Sequence, residues 1–353
     1  MKYVEFIDEK KYIDDFINLP KKLYTKDDNM EDSTTMKDIL LNKHPLSSYF
    51  NLSKYLIYND NEVDGRFIIT EYPDDHDVCY IGFFECVNDS LIAKYLFNVA
   101  YEVAKKKNYK KIIGPVDASF WIKYRLKINK FDIPYTGEPY NKDYYYQLFL
   151  DNDYQVIDHY TSQVYDTVEE DYSNPKFLSH YQSFIKAGYK IVKPKLKDFS
   201  KCMEEVYELI TKLYSDFPVF KDLSKESFLE LFKNYKKIIN MDMVRIAYYQ
   251  DKAVGFYISV PNYHNMVYQI NFKNLLKILW QRKHPKGYVM LYMGVENSHQ
   301  GLGKAIIYSI VEELKKNNLP SIGALPHDGK ISQNYAVEKI KDRYEYVLLE
   351  RSI

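Results

Sequence analysis

Two glycines, Gly301 and Gly303, lie between an apolar run and an amphipathic one, and this is where the chain first offers chemistry. Residues 289–295 have the length and composition of a buried strand, and a short polar turn covers 296–300. Beyond the glycines, Ile306, Ile307, Ile310, Val311 and Leu314 recur at helical spacing, with Glu312, Glu313, Lys315 and Lys316 on the other side. Strand, glycine-bearing loop and helix in this order aim the free N–H groups of a first helical turn at one point. The helix dipole is positive there, so the loop suits a phosphate. A side chain at position 303 would hold such an anion away from the backbone. The competing reading of the same pattern is a tight turn without a ligand.

Other constellations fail. There is no His-Glu-x-x-His and no cysteine cluster, so no metal site is expected. No Gly-x-Ser-x-Gly appears, and the histidines have no spacing that pairs one with a nucleophile. A dinucleotide fingerprint and a G-x-x-x-x-G-K-[ST] loop are both missing. Basic and acidic residues balance at 49 each, so no strong pull toward nucleic acid or an anionic membrane is expected. Cys79, Cys86 and Cys202 form no paired framework and read as buried thiols of a cytoplasmic protein. The opening MKYVEFIDEK lacks a signal-peptide core, and no apolar stretch is long enough to span a membrane.

The segment Gln300-x-x-Gly303-x-Ala305 resembles the Gln/Arg-x-x-Gly-x-Gly/Ala motif of the GNAT acyltransferase superfamily, which lies between a fourth strand and a third helix. The resemblance implies coenzyme A or acetyl-coenzyme A as cofactor. Gln300, Gly301, Leu302, Gly303, Lys304 and Ala305 would hold its pyrophosphate, and Met293, Gly294 and Val295 would pair with the pantetheine arm. Three more stretches, IGFFEC at 81–86, GPVDAS at 114–119 and EPYN at 138–141 leading to Tyr144 and Tyr145, are similar to bacterial proteins with tandem GNAT-like domains. In those the first copy has lost its cofactor loop. Only CVNDS stands between Glu85 and Leu91 here, with no Gly-x-Gly, which places the cofactor in the second copy alone.

The implied fold is α+β: two tandem GNAT-like domains, each a mixed, mostly antiparallel sheet flanked by helices. A length of 353 residues also suggests two domains. Boundaries are expected at 1–170 for a degenerate first domain, 171–187 for a linker and bridging helix, and 188–353 for the domain with the loop. In the first half, a helix over 9–24 is broken by Pro20, and two alternating runs around 59–62 form a hairpin beside a third strand at 77–86. Asn88-Asp89-Ser90 caps a helix that ends in the basic run 105–111, and a strand follows at 111–114. A strand at 154–168 closes this domain. The second half repeats the order: hairpin at 243–260, strand, loop, helix, and a parallel strand at 321–325. A helix around 332–340 and a last strand at 344–350 complete it. Residues 265–286 form an amphipathic insertion expected to cover a sheet edge or join domains rather than lie on a membrane.

Several side chains are candidates for the acceptor side. Trp121, Tyr124, Arg125, Glu138 and Tyr140 combine apolar faces with polar tips and suit either a domain interface or an acceptor cleft. Tyr335 is the candidate for the tyrosine that protonates the leaving thiolate in the family, although it stands one residue from the aligned position; a core or surface tyrosine is the alternative. No Gly-Phe turn follows it, which departs from the family. A backbone N–H near Val295 would serve the oxyanion. Glu296 is a weak candidate base, and His299 is expected to face solvent. The function implied is N-acyl transfer, acetyl being the expected group, to a small amine or peptide amine. A tandem aminoacyltransferase and a non-catalytic ligand-binding protein are the alternatives.

Overall fold

The computed structural model describes residues 1–329 and 335–353. Ser332 and Asn334, part of the helix expected around 332–340, lie outside the described residues. By its contacts the chain forms two units, one of residues 1–134, 138–160 and 345–353 and one of 135–137 and 161–344. This partition differs from the contiguous division expected at 170 and 188. Strand pairing is the reason: the end of the chain completes the first sheet, and a strand that precedes residue 170 completes the second.

The first unit runs β1 (Lys2–Phe6), α1 (Lys10–Leu23), α2 (Ser33–Leu40), β2 (Asn51–Asn59), β3 (Glu62–Glu71), β4 (Val78–Cys86), α3 (Ser90–Lys106) and β5 (Lys111–Gly114). Short strands β6 (Val116–Asp117), β7 (Lys123–Tyr124) and β8 (Leu126–Lys127) follow, then α4 (Tyr145–Leu150) and β9 (Gln155–Tyr165). Strands β1 to β4 are antiparallel neighbours, and β5 lies parallel to β4 because α3 carries the chain back. Helix α3 buries Ile92, Leu96, Phe97 and Ala100 against the sheet. Each larger side chain contributes roughly 1.5–3 kcal/mol. Pro20 does not break α1. Its missing N–H leaves the Phe16 carbonyl without a helical donor, and the buried Arg66 guanidinium supplies one at 2.6 Å.

The second unit contains α5 (Pro175–Lys186), β10 (Lys190–Val192), α6 (Phe199–Leu213), α7 (Lys225–Phe232), α8 (Tyr235–Ile238), β11 (Val244–Tyr249) and β12 (Lys252–Pro261). It continues with α9 (Phe272–Lys283), β13 (Tyr288–Val295), α10 (Leu302–Lys315), β14 (Ser321–Gly323) and the start of β15 (Ile340–Ser352). Its sheet runs β10, β11, β12, β13, β14 and the last residues of β9. The order of hairpin, strand, helix and parallel strand is thus shared by both units. Helix α5 packs on α10 within the second unit, with Tyr181 against Tyr308 at 4.8 Å between rings. From Glu345 onward β15 joins the first unit, pairing with β5 and β8, and Val347 and Leu349 enter that core.

Candidate functional site

Strands β13 and β14 pair in parallel over only three positions, Tyr288 to Met290 against Ser321 to Gly323. β13 runs on for five residues past the last of these pairs, to Val295. A bulge opposite Ile258 and Ser259 leaves Leu291 unmatched in β12, which turns the strand at the point of separation. Glu296 donates its N–H to Val254 of β12. By strand alternation, Met293 and Val295 then direct their N–H and C=O groups away from β12, into the split. The Met293 carbonyl there accepts a hydrogen bond from Tyr214 Oη at 3.1 Å.

The loop after β13 is a single 3-10 turn, Asn297–His299, and it delivers the chain to Gly301. Gly301 is the N-cap of α10 with φ of 92°, a left-handed conformation that glycine adopts without strain, and among the described residues no side chain caps the helix. The N–H groups of Leu302 and Gly303 lie ahead of the first helical carbonyl, so they are the donors a bound anion would use. Leu302, Ala305, Ile306 and Ile310 are fully buried and fix the helix to the sheet. Gln300 is exposed at the mouth of the loop, and Lys304 is half-buried one turn in.

Gly303 is where the site closes. A β-carbon there would lie 2.6 Å from Tyr335 Oη and 3.2 Å from Met293 Cε. Tyr335, 32 residues further on by number, therefore rests its hydroxyl on the start of α10, and any side chain at 303 would displace it. Its ring stands edge-on to Phe177 at 6.1 Å, and its carbonyl lies 3.1 Å from Tyr165 Oη. Burial pushes the Tyr335 phenol above its usual range, so it stays protonated at neutral pH and can act as a donor. Gly294 has a different reason. A β-carbon there would strike Leu213 at 2.6 Å and Phe256 at 2.7 Å, so close packing of α6 and β12 on β13 requires glycine.

One loop residue differs in role from its expectation. His299 is not solvent-facing: its side chain is only 12 % exposed, and its ring nitrogen lies 2.7 Å from Tyr189 Oη, which itself stacks on Tyr249. The Glu296 carboxylate lies 3.7 Å from the Lys212 ammonium and 3.6 Å from that of Lys252, in ion pairs at the foot of the loop. Three contacts had no local signal. Tyr214 follows the end of α6, His180 of α5 lies 3.0 Å from the place of a Gly301 β-carbon, and Tyr165 supports Tyr335; each comes from a segment distant in sequence.

The residues singled out in the first unit are buried. Arg125 lies between the rings of Tyr124 and Tyr160, 4.0 Å from each, and hydrogen-bonds the Tyr124 hydroxyl. Trp121 is buried beside Phe120. Glu138 pairs with Lys127 at 2.6 Å and accepts from Tyr346 Oη at 2.5 Å, and Tyr140 donates to the Phe131 carbonyl. The structure joins Tyr124 with Arg125, and Glu138 with Lys127, in separate internal clusters. No group of three or more His, Cys, Asp or Glu that could hold a metal occurs among the described residues.

No protein-family model matches the chain, and no curated protein matches it in sequence. Solved structures do. The chain is similar to a tandem GNAT protein from the clavulanic acid biosynthesis pathway, at 12 % identity over 99 % of this chain and 98 % of that one, with a TM-score of 0.53. It is similar also to a GCN5-related glucosamine N-acetyltransferase region of a fungal multi-domain GH3 beta-N-acetylglucosaminidase (11 %, 99 % of this chain, 38 % of that one, TM-score 0.52). A third is a GCN5-related N-acetyltransferase from Anabaena variabilis (8 %, 98 % of this chain, 72 % of that one, TM-score 0.51). The fold is thus that of the GNAT superfamily, in two tandem copies.

Proposed function

We propose that the protein is an acyl-coenzyme A-dependent N-acyltransferase, with acetyl the expected group and a small amine or peptide amine the acceptor. The observation that carries this reading is the start of α10, where an uncapped glycine N-terminus and the Tyr335 hydroxyl meet beside the split between β13 and β14. These residues fit the cofactor: the glycines leave the helix donors open, and the split offers main-chain groups of Met293 and Val295. Gln300, Gly301, Leu302, Gly303, Lys304 and Ala305 would hold the diphosphate, and Met293, Gly294 and Val295 the pantetheine arm. When bound, the thioester supplies the activated acyl group. The Val295 N–H is placed to stabilise developing negative charge on the acyl oxygen, and Tyr335 to give a proton to the departing thiolate. Two of the similar structures are named as N-acetyltransferases, which supports amine acylation. The acceptor contacts expected of Trp121, Tyr124, Arg125, Glu138 and Tyr140 do not enter this reading, because those side chains are buried.

The test is thiol release from acetyl-coenzyme A across a panel of amines, with Tyr335→Phe as the diagnostic variant. The reading expects kcat to fall about 100-fold while the KM for acetyl-coenzyme A stays within about twofold. An unchanged kcat removes Tyr335 from the chemistry. Absence of amine-dependent release with every thioester and amine tried rejects the enzymatic reading.

A further inference from the structure

Helix α9 presents apolar side chains to solvent instead of covering the sheet. Of its 12 residues only Ile278 and Gln281 are buried. Phe272 is 78 % exposed, Trp280 57 %, Leu276 53 %, Leu275 42 % and Leu279 40 %, and Ile270 just ahead of the helix is 69 % exposed. At about 100° per residue the five exposed apolar positions of the helix fall within an arc of roughly 140°, opposite the buried face. Lys273 and Lys277 flank one side of the arc and Arg282 the other, with Lys283 at its end. Residues 265–286 contain no aspartate or glutamate.

We propose that α9 is a docking element for a membrane surface rich in anionic phospholipid, lying in the interface with its apolar arc among the upper acyl chains. Such a helix combines exposed large apolar groups with lysine and arginine at the polar edge, and each cation near an anionic surface is worth about 1 kcal/mol. A second copy of the chain is a poor occupant, because face-to-face packing would set two sets of cations against each other without a counter-charge. A cavity of about 540 Å³ adjoins the Trp280 edge of this arc, and Lys277, Trp280, Gln281 and Lys286 contribute to its wall. That places a concave, cation-flanked space where a lipid headgroup would arrive. At about 18 Å the helix is too short to span a bilayer. This docking is independent of the acyl-transfer reading.

Flotation of the full chain with vesicles tests it, using phosphatidylcholine alone against phosphatidylcholine mixed with phosphatidylglycerol. Trp121 is buried and Trp280 exposed, so a blue shift of emission on adding vesicles reports α9. The expected result is flotation and a blue shift with the anionic vesicles, and binding weaker by at least about tenfold to the neutral ones. The double variant Lys273→Glu with Lys277→Glu loses at least about tenfold in anionic-vesicle binding, and Phe272→Ser with Leu276→Ser loses the blue shift. All these positions are exposed, and unchanged circular dichroism and melting verify the fold of each variant. No flotation with either vesicle, or equal flotation of the charge-reversed variant, overturns the proposal. Concentration-dependent self-association that disappears in Phe272→Ser with Leu276→Ser assigns the face to a second copy instead, and also overturns it.

Discussion

The starts of α3 and α10 stand at equivalent points of the two copies, and they are finished in opposite ways. At α3 the Asp89 carboxylate accepts the N–H groups of Leu91 and Ile92, at 2.8 and 3.2 Å, so the chain's own anion occupies the place a phosphate would take. At α10 the cap is Gly301, and among the described residues no side chain caps the helix. The splits between parallel strands differ in the same sense. In the first unit the main chain of β6 passes so close to β4 that a β-carbon at Gly82 would lie 1.8 Å from the Val116 carbonyl oxygen, and Asp117 accepts the Phe83 N–H at 2.5 Å. In the second unit β13 runs past the end of its pairing with β14, with Tyr335 at the side. On the proposed reading one fold carries a ligand site in one copy and a filled one in the other, and the difference rests on whether the chain satisfies its own helix start and strand split.

The interior of the first unit gives the largest expected effect. Burial raises the Glu85 carboxyl from 4.5 to about 7, against the opposing pull of Arg66, with Tyr145, Lys123 and Glu31 also facing it. Tyr145 Oη donates to it at 2.6 Å. A carboxyl with a raised native pKa favours the native state below its unfolded value and loses that contribution as pH rises. Between pH 4.5 and about 7 the parent should therefore lose stability relative to Glu85→Gln, on the order of 3 kcal/mol in all, as read by denaturant unfolding at a series of pH values. Equal pH slopes for parent and variant would place a charged Glu85 in this interior.

The second expected effect makes α10 like α3. Gly301→Asp sets a carboxylate at the helix start and should weaken acetyl-coenzyme A binding about 100-fold, roughly 2.7 kcal/mol. Gly301→Asn carries the same shape without the charge and should weaken it far less, which separates charge from the backbone cost of a φ of 92°.

Much of this loop was legible in the sequence because it is local. The apolar run, the polar turn, the two glycines and the helical periodicity after Ile306 all fall within one short segment, and the Asp89 cap is a three-residue signal. The contacts that complete the site are not local. Tyr335 reaches Gly303, Tyr214 reaches Met293 and His180 reaches Gly301 only through tertiary packing, which spacing rules do not encode. The contact units differ from the expected boundaries for the same reason: β15 pairs with β5 across more than 200 residues, while the polar segment near 170 looks locally like a linker. Exposure of Phe272 and Trp280 was likewise hidden, because an amphipathic pattern does not say which of its faces meets the protein.

The smallest effect is the reciprocal change. Asp89→Ala should cost about 1 kcal/mol of stability through the lost cap, measured by thermal or denaturant unfolding. It should give no second cofactor site, because β6 still fills the split beside β4.

The most direct test of the central claim is isothermal titration of the intact chain with acetyl-coenzyme A. The expected result is a single site, lost in Gly303→Trp and retained in Asp89→Ala. Binding that survives Gly303→Trp, or no binding of any coenzyme A thioester by the folded protein, would contradict it.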